Sequence, residues 1–213
     1  MHVLLQQAFV TGELPDAARV TAVARGLRLS DSEARALRET TETFLRTRYG
    51  RELLARRRQA KTEMPFGVVL GGEGGPLLVG AIDVCFLGGG GAELVDYKSG
   101  RGSFEKDRSR SPGEAYELQA KCYALAALMG GAETATVRFV YPEVLGGDCE
   151  PRQLLYRYES RDAKRIESSL LAQWEAMADK PYRATSRWCP EPCSGCPASG
   201  SVCELTDPRL GAV

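Results

Sequence analysis

At 213 residues with 43% apolar side chains, the chain can bury one sizeable core, which excludes a disordered or fibrous protein. Its 28 basic and 28 acidic residues cancel, so no overall field marks it as a nucleic-acid binder, and any such contact must come from local patches. Apolar stretches stop short of the roughly 18 residues a membrane span needs, and no charged-then-apolar secretory signal opens the chain. The expectation is a cytoplasmic protein with no membrane segment.

In the first 60 residues Ala34, Leu37, Thr41, Phe44 and Leu45 recur at helical spacing, and Ser30 with Glu33 three residues on forms a capping box. Two or three helices are expected there. From Glu63 the pattern changes to short β-rich runs, Pro65 to Leu70, Leu77 to Phe86 and Glu93 to Lys98, separated by the glycine-rich stretches 71–75 and 88–91. Both stretches lead into strands and open no helix, so they read as hairpin turns and not as phosphate cradles. A helix follows from about Pro112 to Met129, then strands near Thr134 to Tyr141 and Gln153 to Glu159, and a helix from about Asp162 to Ala178. Hairpin-linked strands are antiparallel, and the helix between the third and fourth allows a parallel crossover. The predicted class is α/β, a mixed sheet flanked by helices.

In Glu93-Leu94-Val95-Asp96-Tyr97-Lys98, residues two apart share a strand face, so Asp96 and Lys98 project together while Val95 and Tyr97 point the other way. Asp83 closes Val79-Gly80-Ala81-Ile82-Asp83, and a short hairpin sets that strand beside the next. Two carboxylates and a lysine then converge at strand ends near solvent. Such hard oxygen ligands suit Mg²⁺ or Mn²⁺, and a neighbouring lysine can orient the attacking water or offset charge on a phosphoryl group. Taken alone, an Asp-x-Lys on a strand is more often an ordinary salt bridge; the order of surrounding elements raises it above that.

Gly80-Ala81-Ile82-Asp83, Val95-Asp96-Tyr97-Lys98-Ser99-Gly100 and Gln119-Ala120-Lys121-Cys122-Tyr123-Ala124 together resemble the RecB-type nuclease domain of the PD-(D/E)XK superfamily. That domain is the C-terminal nuclease of bacterial recombination helicase-nucleases, and CRISPR-associated exonucleases are related to it. The resemblance covers nearly the whole chain. It implies a restriction-endonuclease-like fold with a helical N-terminal part, Asp83, Asp96 and Lys98 as catalytic residues, and Gln119 and Tyr123 on a helix face toward the site. It also implies His2, the only histidine, as a metal ligand with Asp83 and Asp96. Helices of that family begin before this histidine, so the chain reads as an excised domain or one with an unusual start. Glu63 precedes the first strand where the family often carries a glutamate; proximity to the site and a solvated strand edge are equally open.

Arg51, Arg56, Arg57, Arg58 and Lys61 form one basic cluster of the kind that is usually a solvated face. Arg101, Lys106, Arg108 and Arg110 form another beside the predicted catalytic strand, placed to hold a DNA backbone without reading sequence. Four of the seven cysteines, Cys189, Cys193, Cys196 and Cys203, crowd the tail and suggest metal ligation. The resemblance implies a 4Fe-4S cluster with one upstream cysteine, which this chain lacks before Cys85. Either that ligand is missing, or Cys189 replaces it, or the site holds Zn²⁺ with four thiolates. Cys85, Cys122 and Cys149 read as core or surface thiols. The expected organisation is a nuclease domain over 1–182, with N-terminal helices over 1–60, and a cysteine-rich tail over 183–213. The expected activity is metal-dependent exonucleolytic cleavage of DNA, on a single-stranded end fed by a helicase domain or subunit. The alternatives are a catalytically silent domain that clamps DNA or braces a helicase, and a metal-binding interaction module in which the tail is the function.

Overall fold

The computed structural model describes residues 1–98 and 116–179. Four helices open the chain: α1 (His2–Thr11), α2 (Ala17–Gly26), α3 (Asp31–Arg46) and α4 (Arg48–Ala55). Ser30 and Glu33 form the expected reciprocal cap on α3. The extra helix arises at Thr47, whose extended backbone (φ −62°, ψ 163°) ends α3 and whose hydroxyl caps α4 by accepting the Gly50 N–H at 2.9 Å. A side chain at Gly50 would run into the Phe44 carbonyl, so the corner requires glycine.

The sheet comprises β1 (Ala60–Val69), β2 (Leu77–Gly88), β3 (Gly91–Tyr97), β4 (Thr134–Leu145) and β5 (Pro151–Glu159), hydrogen-bonded in that order. Helix α5 (Glu117–Met129) carries the chain from β3 to β4, and α6 (Ala163–Ala178) follows β5. Every pairing is antiparallel except β3 with β4. The mixed sheet expected from sequence is therefore observed. Gly89 (φ 58°) and Gly90 (φ 77°) close the β2–β3 hairpin as a two-residue turn with both residues left-handed, a conformation that glycine adopts without steric cost.

Helices cover both faces. On one, Ile82, Leu94, Val137 and Phe139 pack with Ala120 and Leu125 of α5 and Ile166 of α6. On the other, Val84, Val95, Tyr97 and Val140 pack with Leu5 and Phe9 of α1, Phe44 of α3 and Leu53 of α4. Strand β3 feeds both cores through its alternation, Leu94 to one side and Val95 and Tyr97 to the other. Internal contacts divide the chain into Met1–Trp174 and Glu175–Val213, and the sheet with both cores belongs to the first. Among the described residues no helix is long and apolar enough to cross a membrane.

Phe44 is fully buried and meets the Tyr97 ring edge-on at 5.7 Å, joining α3 to the end of β3. Phe44→Ala is expected to cost about 3–5 kcal/mol of stability, read as a lower urea midpoint at an unchanged slope.

Candidate active site

The site begins with a change of face in two adjacent strands. Ile82 packs into one core and Val84 into the other, so β2 switches sides at Asp83. Strand β1 does the same: Ala60 packs with the second core and Met64 with the first. The ladder pairs Thr62 with Val84 and Met64 with Ile82, and skips Glu63 opposite Asp83. Glu63 sits there at φ 48°, left-handed backbone that costs a non-glycine residue about 1–3 kcal/mol. Val84 pairs with Val95, so Asp83 and Asp96 occupy the next positions along β2 and β3.

Asp83 Oδ2 accepts the Tyr97 backbone N–H at 2.7 Å and lies 3.5 Å from His2 Nδ1. Burial raises its carboxyl above the ordinary range; the Tyr97 N–H opposes this, Asp96 raises it further, His2 lowers it and Glu63 raises it. Asp96 is almost completely buried, at 5% exposure, which corrects the expectation of an acid close to solvent. Its Oδ1 accepts Gln119 Nε2 at 3.0 Å and the Tyr123 hydroxyl at 2.8 Å. Its Oδ2 is 2.8 Å from Lys98 Nζ but accepts no directed hydrogen bond.

Lys98 Nζ donates in turn to Gln119 Oε1 at 2.8 Å, and Gln119 Nε2 lies 2.7 Å from the Tyr123 oxygen. Asp96, Lys98, Gln119 and Tyr123 thus close a ring of polar contacts. Tyr123 holds its proton well above the usual phenol range, first because it is buried and then because Asp96 stands beside it. The ammonium of Lys98 also lies over the rings of Tyr116 (4.6 Å) and Phe139 (4.9 Å), which favour a cation by their quadrupoles. These two aromatics were missed in the sequence. Asp96 pairs with Phe139 in the parallel β3–β4 register, a signal readable only once the crossover is placed.

Asp83, Asp96, Lys98, Gln119, Tyr123 and His2 therefore meet at the C-terminal end of β3 and the middle of β2, which runs on past Asp83 instead of closing there, with Glu63 opposite on β1. Among the described residues no three His, Cys, Asp or Glu side chains stand together in a formed metal site, and Asp96 is in contact with Lys98. The donors nonetheless fit a hard divalent cation: two carboxylates, one imidazole, and a buried Asp96 oxygen with an undirected lone pair. Cys85 is buried, Cys122 half-buried and Cys149 exposed. Arg101, Lys106, Arg108, Arg110, Cys189, Cys193, Cys196 and Cys203 lie outside the described residues.

A helix-flanked mixed sheet carrying Asp83 and Asp96-Tyr97-Lys98 at adjacent strand positions defines a class of phosphodiester-cleaving folds. The chain belongs to the PD-(D/E)XK nuclease superfamily, whose family model matches residues 1–204. No match was found among curated proteins. A solved structure described as "Crystal structure of SSO0001" is similar at 17% identity with a TM-score of 0.39, covering 92% of this chain and 95% of that one, too distant for any argument to rest on it.

The raised carboxyl of Asp83 gives a test without catalysis. A carboxyl raised on folding contributes stability while protonated and loses it as pH climbs through its folded value. In metal-free protein at neutral pH, Asp83→Asn should therefore melt higher than the parent, with the gap closing as pH falls. Thermal melts across a pH series check this; an asparagine variant less stable at neutral pH would contradict it.

Proposed function

We propose that the chain is a Mg²⁺- or Mn²⁺-dependent deoxyribonuclease that hydrolyses phosphodiester bonds, with Asp83, Asp96 and Lys98 as its reacting centre. The observation that carries the reading is the convergence of two carboxylates and a lysine from neighbouring strands at one largely buried point. An ordinary salt bridge needs neither the second carboxylate nor the ring that holds the lysine.

In this reading Asp83, Asp96 and His2 hold the cation, which supplies Lewis acidity toward the scissile phosphate. Lys98 positions the attacking water or offsets charge building on the phosphoryl oxygens. One P–O bond forms from that water, which gives up a proton, as one ester P–O bond breaks and the leaving oxygen takes a proton up. Gln119 holds Lys98 from its Oε1 and Asp96 from its Nε2, so one amide sets the spacing of acid and cation. The Tyr123 hydroxyl donates to Asp96 and keeps its own proton, which suits a positioning group and not a base. Membership of a nuclease superfamily supports DNA as the substrate. The likeness to RecB-type domains, carried by His2 and by Gln119 with Tyr123, supports an exonuclease working on a single-stranded end beside a helicase.

Lys98→Ala and Asp96→Asn should each lower the cleavage rate by about 10²–10³-fold or more while the circular-dichroism spectrum and cooperative melting persist. The measurement is product length against time on end-labelled single-stranded and duplex DNA with Mn²⁺. Parental rates in either folded variant would overturn the assignment, and internal products preceding end-shortening would overturn the exonuclease reading.

A further inference from the structure

Beside Glu63 the surface continues into a groove of about 340 Å³ between α1 and the start of β1, lined by Phe9, Val10, Arg57, Arg58, Ala60 and Thr62. Its walls differ in chemistry. One is apolar, with Val10 left 74% exposed. The other is cationic. Among the described residues neither Arg57 nor Arg58 has an ion-pair partner, whereas Arg56 is tied to Glu93 at 2.8 Å and stacked on Phe86. Arg57 is held in place: its Nη1 donates to the Leu54 carbonyl at 3.4 Å, and its guanidinium lies so close to Gly12 that a methyl there would come within 2.5 Å of Nε. Gly12, at φ 76°, ends α1 at that point, and its missing side chain lets the guanidinium pass.

An apolar wall facing two unneutralised guanidinium groups matches a nucleic-acid strand, whose phosphates take the charge and whose sugars and base faces take the apolar contact. The groove also leads to the right place. Thr62 immediately precedes Glu63, and at about 3.3 Å per strand residue Ala60 lies about 10 Å from it, within the reach of a strand that passes the carboxylates.

We propose that this groove carries the single-stranded DNA backbone flanking the scissile phosphate, with Arg57 and Arg58 neutralising phosphates. The inference rests on the nuclease reading of the neighbouring carboxylates and adds the path of the substrate to it.

The test is the binding of a fluorescein-labelled single-stranded oligonucleotide across a NaCl series without divalent cation, comparing the parent with Arg57→Gln/Arg58→Gln. Arg25→Gln/Arg35→Gln serves as control, since both residues are exposed on α2 and α3. Loss of two phosphate contacts should flatten the slope of log K against log salt by about 1.4, at about 0.7 per contact on a single strand. With Mn²⁺ present the same variant should raise KM and hold kcat. The control should match the parent in both. A folded Arg57→Gln/Arg58→Gln variant with the parental slope, or a control that flattens it equally, overturns the groove. Binding is read without turnover, so a protein that shows the predicted slopes yet never cleaves supports the groove and sinks the nuclease reading. One that cleaves while the slopes stay equal sinks the groove alone.

Discussion

Two carboxylates set at neighbouring strand positions, where the sheet changes face, are the constraint around which the rest is built. Burial raises the cost of ionising Asp83, and the neighbouring Asp96 adds to that cost. The fold answers with five groups from three places, α1, α5 and the end of β3. The Tyr97 N–H and His2 turn toward Asp83, and Lys98, Gln119 and Tyr123 close on Asp96. Each answering group arrives on an element positioned by one of the two cores: α1 by Leu5 and Phe9, α5 by Ala120 and Leu125.

The lysine is the best-held part of this arrangement. Its ammonium has a carboxylate oxygen, an amide oxygen and two aromatic faces as neighbours, each favouring the cation and none reaching it from bulk water. A side chain with four rotatable bonds is thereby brought near a single geometry, which lowers the entropic cost of placing it during a reaction. The contact of Lys98 with Asp96 also means that cation binding and lysine position are linked: a cation that takes the free oxygen of Asp96 competes with the ammonium for it.

Much of this was legible in the sequence because it is local. The two-residue period of β3 sends Asp96 and Lys98 one way and Val95 and Tyr97 the other, the four-residue spacing on α5 puts Gln119 above Tyr123, and the glycine runs mark the hairpins that align β1, β2 and β3. What stayed hidden depends on pairings far apart in the chain. For Glu63 the sequence leaves the site and a solvated strand edge equally open, and only the ladder shows it opposite Asp83 in a left-handed conformation. Tyr116 and Phe139 read as ordinary aromatics until the parallel crossover brings β4 beside β3. The division of the early helical stretch at Thr47 was hidden for another reason, since a threonine cap in a polar run leaves little trace in apolar spacing. The basic cluster before β1 also separates in space: Arg56 turns to Glu93, while Arg57 and Arg58 face the groove beside α1.

The central claim is that Asp83 and Asp96 form one cation site, and anomalous diffraction from crystals soaked in Mn²⁺ tests it most directly. The account predicts a single strong peak at the manganese edge shared by both carboxylates, with His2 within ligand distance and Lys98 displaced from Asp96. A peak elsewhere, with Lys98 still joined to Asp96 and the two carboxylates bridging nothing, would contradict it.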